Sequence, residues 1–107
     1  MKIVAMELTW SKAKIEGRVP PPEAGRYSTV AKFPDIAEKW PREAWSVVIE
    51  IRMTEKSARN WRAVGALHFL VDGAPEELLY EGGQFELYEG KVMTASGVIL
   101  GDMPDCP

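Results

Sequence analysis

The sequence predicts an all-β protein of six strands, an antiparallel barrel or sandwich, with the barrel favoured. Three observations carry that expectation. Six segments alternate apolar and polar residues with the period of two that a half-buried strand requires. Clusters of Gly, Pro and polar residues separate these segments, and only one short stretch favours a helical turn. At 107 residues the chain is large enough for one hydrophobic core and too small for two. A small antiparallel sheet removes its exposed edges by closing on itself, which favours a barrel. Residues 1–100 are therefore expected to form a single barrel domain, with 101–107 a loose tail.

The first strand is expected over 2–10, where Val4, Met6, Leu8 and Trp10 share one face and Glu7 and Thr9 lie on the other. Residues 11–25 include Gly17, Pro20, Pro21, Pro22 and Gly25. Successive prolines cannot donate to a strand ladder, so this stretch reads as a long, stiff loop. Strand two, over 26–33, aligns Tyr27, Thr29, Ala31 and Phe33 and stops at Pro34. A short polar segment through Trp40 and Pro41 leads to strand three, where Trp45, Val47, Ile49, Ile51 and Met53 fall on one face. Strand four, over 61–71, aligns Trp61, Ala63, Gly65, Leu67, Phe69 and Val71. Pro75 followed by Glu76 and Glu77 suits the first turn of a helix, with room for one turn or an extended connector. Strands five and six, over 84–88 and 91–100, form a hairpin about Glu89-Gly90, because Gly90 can take a positive φ. Val47, Ile49, Ile51, Leu67, Phe69, Phe85 and Leu87 are the expected core.

Apolar residues make up 46% and charged residues 27% of the chain, the balance of an ordinary globular protein. The longest apolar runs, such as 47–49 and 98–100, fall far short of the roughly 18 residues a bilayer crossing needs. Glu7 interrupts the N-terminal apolar run before it could serve as a signal core. Cys106 stands alone, which excludes an intrachain disulfide. A cytoplasmic location without a membrane partner is the expectation. The net charge of −3 argues against general nucleic-acid binding, which depends on many Lys and Arg contacts to phosphate. Charge is also unevenly spread. Residues 72–89 carry Asp72, Glu76, Glu77, Glu81, Glu86 and Glu89 with no Lys or Arg, whereas Arg52, Lys56, Arg59 and Arg62 just before them stand against Glu55 alone. Two solvated loops are the plain reading of this pattern, and an interaction surface is the functional one.

No catalytic, cofactor-binding or metal-ligating residue is assigned. His68 is the one histidine, and by alternation it shares a face with Arg62 and Asp72; acid–base work would need such partners to converge. No cysteine or histidine cluster completes a transition-metal site, and the glutamates of 76–89 lack the spacing and central glycine of a calcium loop. No Gly-x-Ser-x-Gly nucleophile elbow occurs. Among the four tryptophans, Trp10 and Trp45 fit core faces while Trp40 and Trp61 lie at strand borders. Trp61, with Arg59 and Arg62 beside it, forms the candidate partner-binding group, because these two residue types dominate interface energetics.

The run Gly82-Gly83-Gln84-Phe85-Glu86-Leu87-Tyr88-Glu89-Gly90, continued to Gly97-Val98-Ile99, resembles the closing hairpin of the third domain of elongation factor Tu. Gly82, Phe85, Glu89, Gly90, Gly97 and Val98 keep that family's mutual spacing. Glu16-Gly17-Arg18-Val19-Pro20 and Gly25-Arg26-Tyr27 stand where the family has a Gly-Gly-Arg loop and a Gly-Tyr-Arg strand opening, with tyrosine and arginine exchanged here. The resemblance runs in outline from Ile3 to Leu100 and implies a six-stranded antiparallel, Greek-key-like β-barrel of the translation elongation factor type without its GTPase domain. It also implies that Arg18, Glu89 and Gly90 occupy places that approach the RNA backbone in that family's complex with tRNA.

Three readings follow, in descending order. The first is a non-enzymatic module that binds another protein through the rim of Trp61, Arg59 and Arg62 or through the acidic hairpin end. The second is an RNA-binding barrel, requiring Arg18, Arg26 and Lys91 to form one basic patch against the acidic total charge. The third is an enzyme with an unfamiliar site around His68. No cofactor is expected. The sequence has no Gly-x-x-x-x-Gly-Lys-Ser/Thr phosphate cradle, so the chain is expected not to bind GTP. Isothermal titration checks this, and saturable micromolar binding would contradict it.

Overall fold

The computed structural model describes residues 1–11, 25–40, 44–56 and 61–102. The proline-rich stretch with Arg18, the segment with Arg59, and Cys106 lie outside the described residues. The six strands are β1 (Val4–Trp10), β2 (Gly25–Lys32), β3 (Trp45–Lys56), β4 (Trp61–Phe69), β5 (Gln84–Glu89) and β6 (Val92–Asp102). They close into a barrel in the order β1-β4-β3-β2-β5-β6, and every pairing, including β6 back onto β1, is antiparallel. The predicted fold class is thus the observed one. β1 and β2, consecutive in sequence, stand on opposite sides of the barrel, as do β4 and β5.

The antiparallel course defines two ends. At one, here called the tip, lie Trp10, Gly25, Lys56, Trp61 and the β5–β6 turn. At the other, the base, β4 gives way to the crossover that leads into β5. That crossover contains a 3-10 turn at Glu76–Leu78. It seats Leu78 and Leu79 in the core, and Glu76 accepts a hydrogen bond from the Lys2 amide at 2.7 Å. The segment entering β3 forms a second 3-10 turn at Pro34–Lys39, where a plain polar crossing was expected. Pro34 supplies the pre-set φ for its first position. Ile36 packs on the core, and the Tyr80 hydroxyl donates to Asp35 at 2.7 Å, which ties this turn to the crossover.

Alternation fills the interior. Val4, Met6, Leu8 and Trp10 of β1 are all buried while the residues between them are half-exposed. All seven expected core residues, Val47, Ile49, Ile51, Leu67, Phe69, Phe85 and Leu87, are at most 2% exposed. Phe33 packs between Phe69 and Phe85, with ring centroids 5.6 and 6.4 Å away, and Trp45 meets Phe69 edge-on. A side chain at Gly97 would overlap the Phe85 ring and a Leu8 methyl, so glycine there makes room for the phenylalanine.

Four further details depart from the sequence reading. In β3 the register slips between Ile51, opposite Gly65, and Met53, opposite Val64, which leaves Arg52 as a bulge residue. The slip reverses the faces, so Met53 is 56% exposed instead of buried. Val71, expected to continue β4, is exposed because the strand ends at Phe69 and the chain turns away. The hairpin turn is Gly90-Lys91, one residue later than expected, because Glu89 pairs with Val92; Gly90 has φ +62°. Finally β6 continues to Asp102, pairing Gly101 and Asp102 with Ala5 and Val4, beyond the expected end at Leu100.

The seam between β2 and β5 is the shortest ladder, with Val30, Ala31 and Lys32 opposite Tyr88, Leu87 and Glu86. Outside it Trp40 covers Tyr88, ring centroids 4.9 Å apart, and the Lys32 ammonium lies 5.8 Å from the Trp40 ring. The Thr29 hydroxyl adds a bond to the Tyr88 carbonyl at 2.9 Å.

Phe85→Ala is expected to lower unfolding free energy by about 3–5 kcal/mol, as for a fully buried phenylalanine. Met53→Ala, on the outer face, should change it by no more than about 0.5 kcal/mol. Urea denaturation of both variants checks the bulge: a large loss at Met53 would mean that it points inward.

Candidate functional site

Adjacent strand residues point to opposite sides of the sheet, and this separates the proposed Trp-Arg pair. Trp61 is half-buried and packs against the core, whereas Arg62 faces outward. Arg59 lies outside the described residues. Arg62 donates through Nη2 to Glu7 Oε1 across the β1–β4 ladder and stands opposite Glu55 on β3. The Glu7 hydrogen bond and charge, with a smaller contribution from Glu55, hold the guanidinium proton more firmly than usual.

Around this pair the outer face of β1, β4 and β3 forms a shallow hollow of about 110 Å³ lined by Glu7, Met53, Glu55, Arg62 and Val64. The Arg52 bulge brings Met53 to it. The sequence did contain a signal for that frame change. Unbroken alternation carried past Ile51 and Met53 would point Glu55 into the core, and a lone buried carboxylate is prohibitively costly. One extra residue returns Glu55 to solvent and brings Met53 out with it.

The residues matched to the RNA-facing surface lie at the tip. Glu89 and Gly90 are exposed where β5 turns into β6, and Arg26 and Lys91 are exposed at the same end. Arg18 lies outside the described residues. Acidic groups interleave with these cations: Arg26 stands opposite Glu50, and Lys91 follows Glu89 around the turn. Nor do the acids of 72–89 form a single anionic face. Glu76 is bound to the Lys2 amide at the base, while Glu86 lies 3.9 Å from Lys32 and accepts from the Tyr88 hydroxyl at 3.2 Å.

His68 is half-buried, with Nδ1 2.9 Å from the Phe69 carbonyl, and pairs in register with Val48. Arg62 lies six positions away on the same strand, about 20 Å at strand rise. Asp72 is in the exposed turn beyond β4. Among the described residues no group of three or more His, Cys, Asp or Glu could hold a metal ion. No described helix is long and apolar enough to cross a membrane.

No protein family, curated protein or solved structure matches this chain. The likeness to the elongation factor hairpin therefore rests on the residues quoted above and on nothing further.

Inside the tip the rings of Trp10 and Tyr27 stack with centroids 6.4 Å apart. Trp10 Nε1 and the Tyr27 hydroxyl have no hydrogen-bond partner among the described residues. Burial pushes the Tyr27 hydroxyl far above its ordinary pKa of 10, and the Glu89 carboxylate adds to the shift. A folded pKa raised in this way stabilises the barrel fully below the unfolded value of about 10 and is lost as pH climbs above it. Tyr80, bonded to Asp35, and Tyr88, desolvated beside Glu86, shift in the same direction. Ultraviolet titration should therefore show Tyr80 and Tyr88 ionising above the ordinary tyrosine range in the folded barrel, and Tyr27 ionising only as the barrel's circular dichroism is lost. Tyrosinate formation at Tyr27 near pH 10 in an intact barrel would contradict its buried placement.

Proposed function

We propose that this barrel is a non-enzymatic module that binds another protein, with the outer face of β1, β4 and β3 as the contact. The observation that carries the reading is the bulge at Arg52. It exposes Met53, 56% accessible, beside Val64, and these two apolar side chains share the hollow with Arg62, Glu7 and Glu55. Apolar side chains beside charged ones suit a protein contact, and methionine, unbranched and polarizable, adapts to an apolar partner surface. Bulges also recur where a strand re-aims a side chain for a purpose other than packing.

In this reading the Arg59–Trp61–Arg62 anchor is divided. Arg62 belongs to the contact surface and Trp61 supports the strand from within. Arg62 and its carboxylate neighbours set orientation and association rate, because exposed ion pairs contribute little affinity. The lone Cys106 suits a reducing compartment such as the cytoplasm. The acidic residues interleaved with Arg26 and Lys91 weigh against RNA as the partner.

A partner isolated by chemical cross-linking to the folded protein and reconstituted in purified form tests the reading. Met53→Asp should weaken its affinity by about 1–2 kcal/mol, roughly 5- to 30-fold, with the barrel's circular dichroism unchanged. Arg62→Ala should act mainly on the association rate and lose its effect at high salt. Unchanged affinity in Met53→Asp would remove this face from the contact. Tight, salt-sensitive binding to tRNA instead would favour the RNA reading.

A further inference from the structure

A second concavity lies on the other side of Glu7, across the outer face of β1, β6 and β5, and has a volume of about 310 Å³. Its shape follows from the register. Thr9, Ser96 and Glu86 form one cross-strand row, and Glu7, Val98 and Gln84 the next. The middle strand contributes only short outward side chains, Ser96 and Val98, while Gly97 points inward toward Phe85 and Leu8. The flanking strands contribute the longer Glu7, Gln84 and Glu86. A trough results, floored by β6 and walled by β1 and β5, with its walls about 9–10 Å apart at two strand spacings.

The chemistry of the trough is narrowly defined. Both carboxylates are already matched to cations that flank the trough, Glu7 by Arg62 and Glu86 by Lys32 at 3.9 Å. The trough therefore offers neither a bare anionic site for a cation nor a positive site for a phosphate. The side chains of Thr9, Ser96 and Gln84 make no hydrogen bond to any described residue, so two hydroxyls and an amide stand with donors and acceptors open. All are fixed on three adjacent strands, not on loops, which holds their spacing rigid. The volume lies at the lower end of the range for small-molecule sites, about 300–1,000 Å³.

We propose that this trough binds a neutral, hydroxyl-rich small molecule about the size of one sugar ring. Such a ligand both donates and accepts hydrogen bonds, as Gln84, Thr9 and Ser96 require, and makes no net charge demand on the two ion pairs. The site is separate from the Met53 hollow and its test avoids Glu7, which borders both, so either reading can fail without the other.

The test is a ¹H–¹⁵N titration of the whole chain with glucose, galactose and inositol, and with sulfate and ethylammonium as ionic probes. The expected result is saturable shifts confined to Thr9, Gln84, Glu86, Ser96 and Val98 with at least one of the neutral probes. Ser96→Trp, which fills the trough from an exposed position, should abolish them, and Gln84→Ala should weaken binding about fivefold, the loss of one hydrogen bond. Absence of saturable shifts with all three neutral probes overturns the proposal. So do equal saturation by sulfate or ethylammonium, and shifts that persist in Ser96→Trp with its spectrum otherwise intact.

Discussion

A six-stranded barrel encloses an interior just wide enough for side chains, and each strand must keep one face turned into it while the sheet bends round to meet itself. That geometric demand, more than any single contact, organises this molecule. Phe85, Leu8, Met6, Ile49, Leu67 and Leu87 fill the middle with almost no accessible surface. The space is so fully used that neighbouring backbone must yield to it. Gly97 carries no side chain because Phe85 occupies the place, and Gly65 carries none because a Cβ there would overlap the Glu50 carbonyl of the next strand. The second close approach lies beside the Arg52 bulge, where Ile51 stands opposite Gly65. The absent side chains at Gly97 and Gly65 are therefore consequences of one close-packed closure.

The charges follow a different logic. Formal charge is segregated along the chain, but folding mixes it. β1 and β4 lie side by side, which brings Glu7 to Arg62, and β2 beside β5 brings Lys32 to Glu86. Pairs of this kind contribute little stability at a surface. Their consequence is local neutrality on two outer faces of the barrel, which leaves shape and hydrogen-bonding capacity, not net field, to decide what can settle there. A −3 chain divided into basic and acidic blocks in sequence is a patchwork in three dimensions.

The barrel was legible in the sequence because its signal is periodic and repeated. β1 reads as four inward residues in strict alternation, and the core of β3, β4 and β5 follows the same rule. Register was not legible, because it depends on which strand lies opposite. Leu100 reads as part of an apolar run, yet it is the extra residue between Ile99, opposite Met6, and Gly101, opposite Ala5, and is 47% exposed. Thr94, an unremarkable polar residue in sequence, is 3% exposed at another bulge, where its hydroxyl bonds the Leu87 carbonyl at 3.3 Å. The candidate site suffered most from this. Trp61 and Arg62 look like one group because they are neighbours in the chain, but alternation places them on opposite surfaces. Glu7, the carboxylate that engages Arg62, lies 55 residues away, a separation that no local pattern can span.

The ladders around the barrel are unequal. β3 and β4 are matched along nine positions, whereas β2 and β5 meet along three. A closed ring parts most easily where the fewest hydrogen bonds must break, and by that measure the β2–β5 line is the weakest seam of this barrel. What remains after that first rupture is an open curved sheet with β2 at one margin and the β5–β6 hairpin, still joined to β1, at the other. Trp40, laid over Tyr88 and close to Lys32, is then a rivet across the line of weakness, and its indole fluorescence is a natural reporter of the opening. A barrel without edges would for that interval carry two, the β2 margin and the β5 margin.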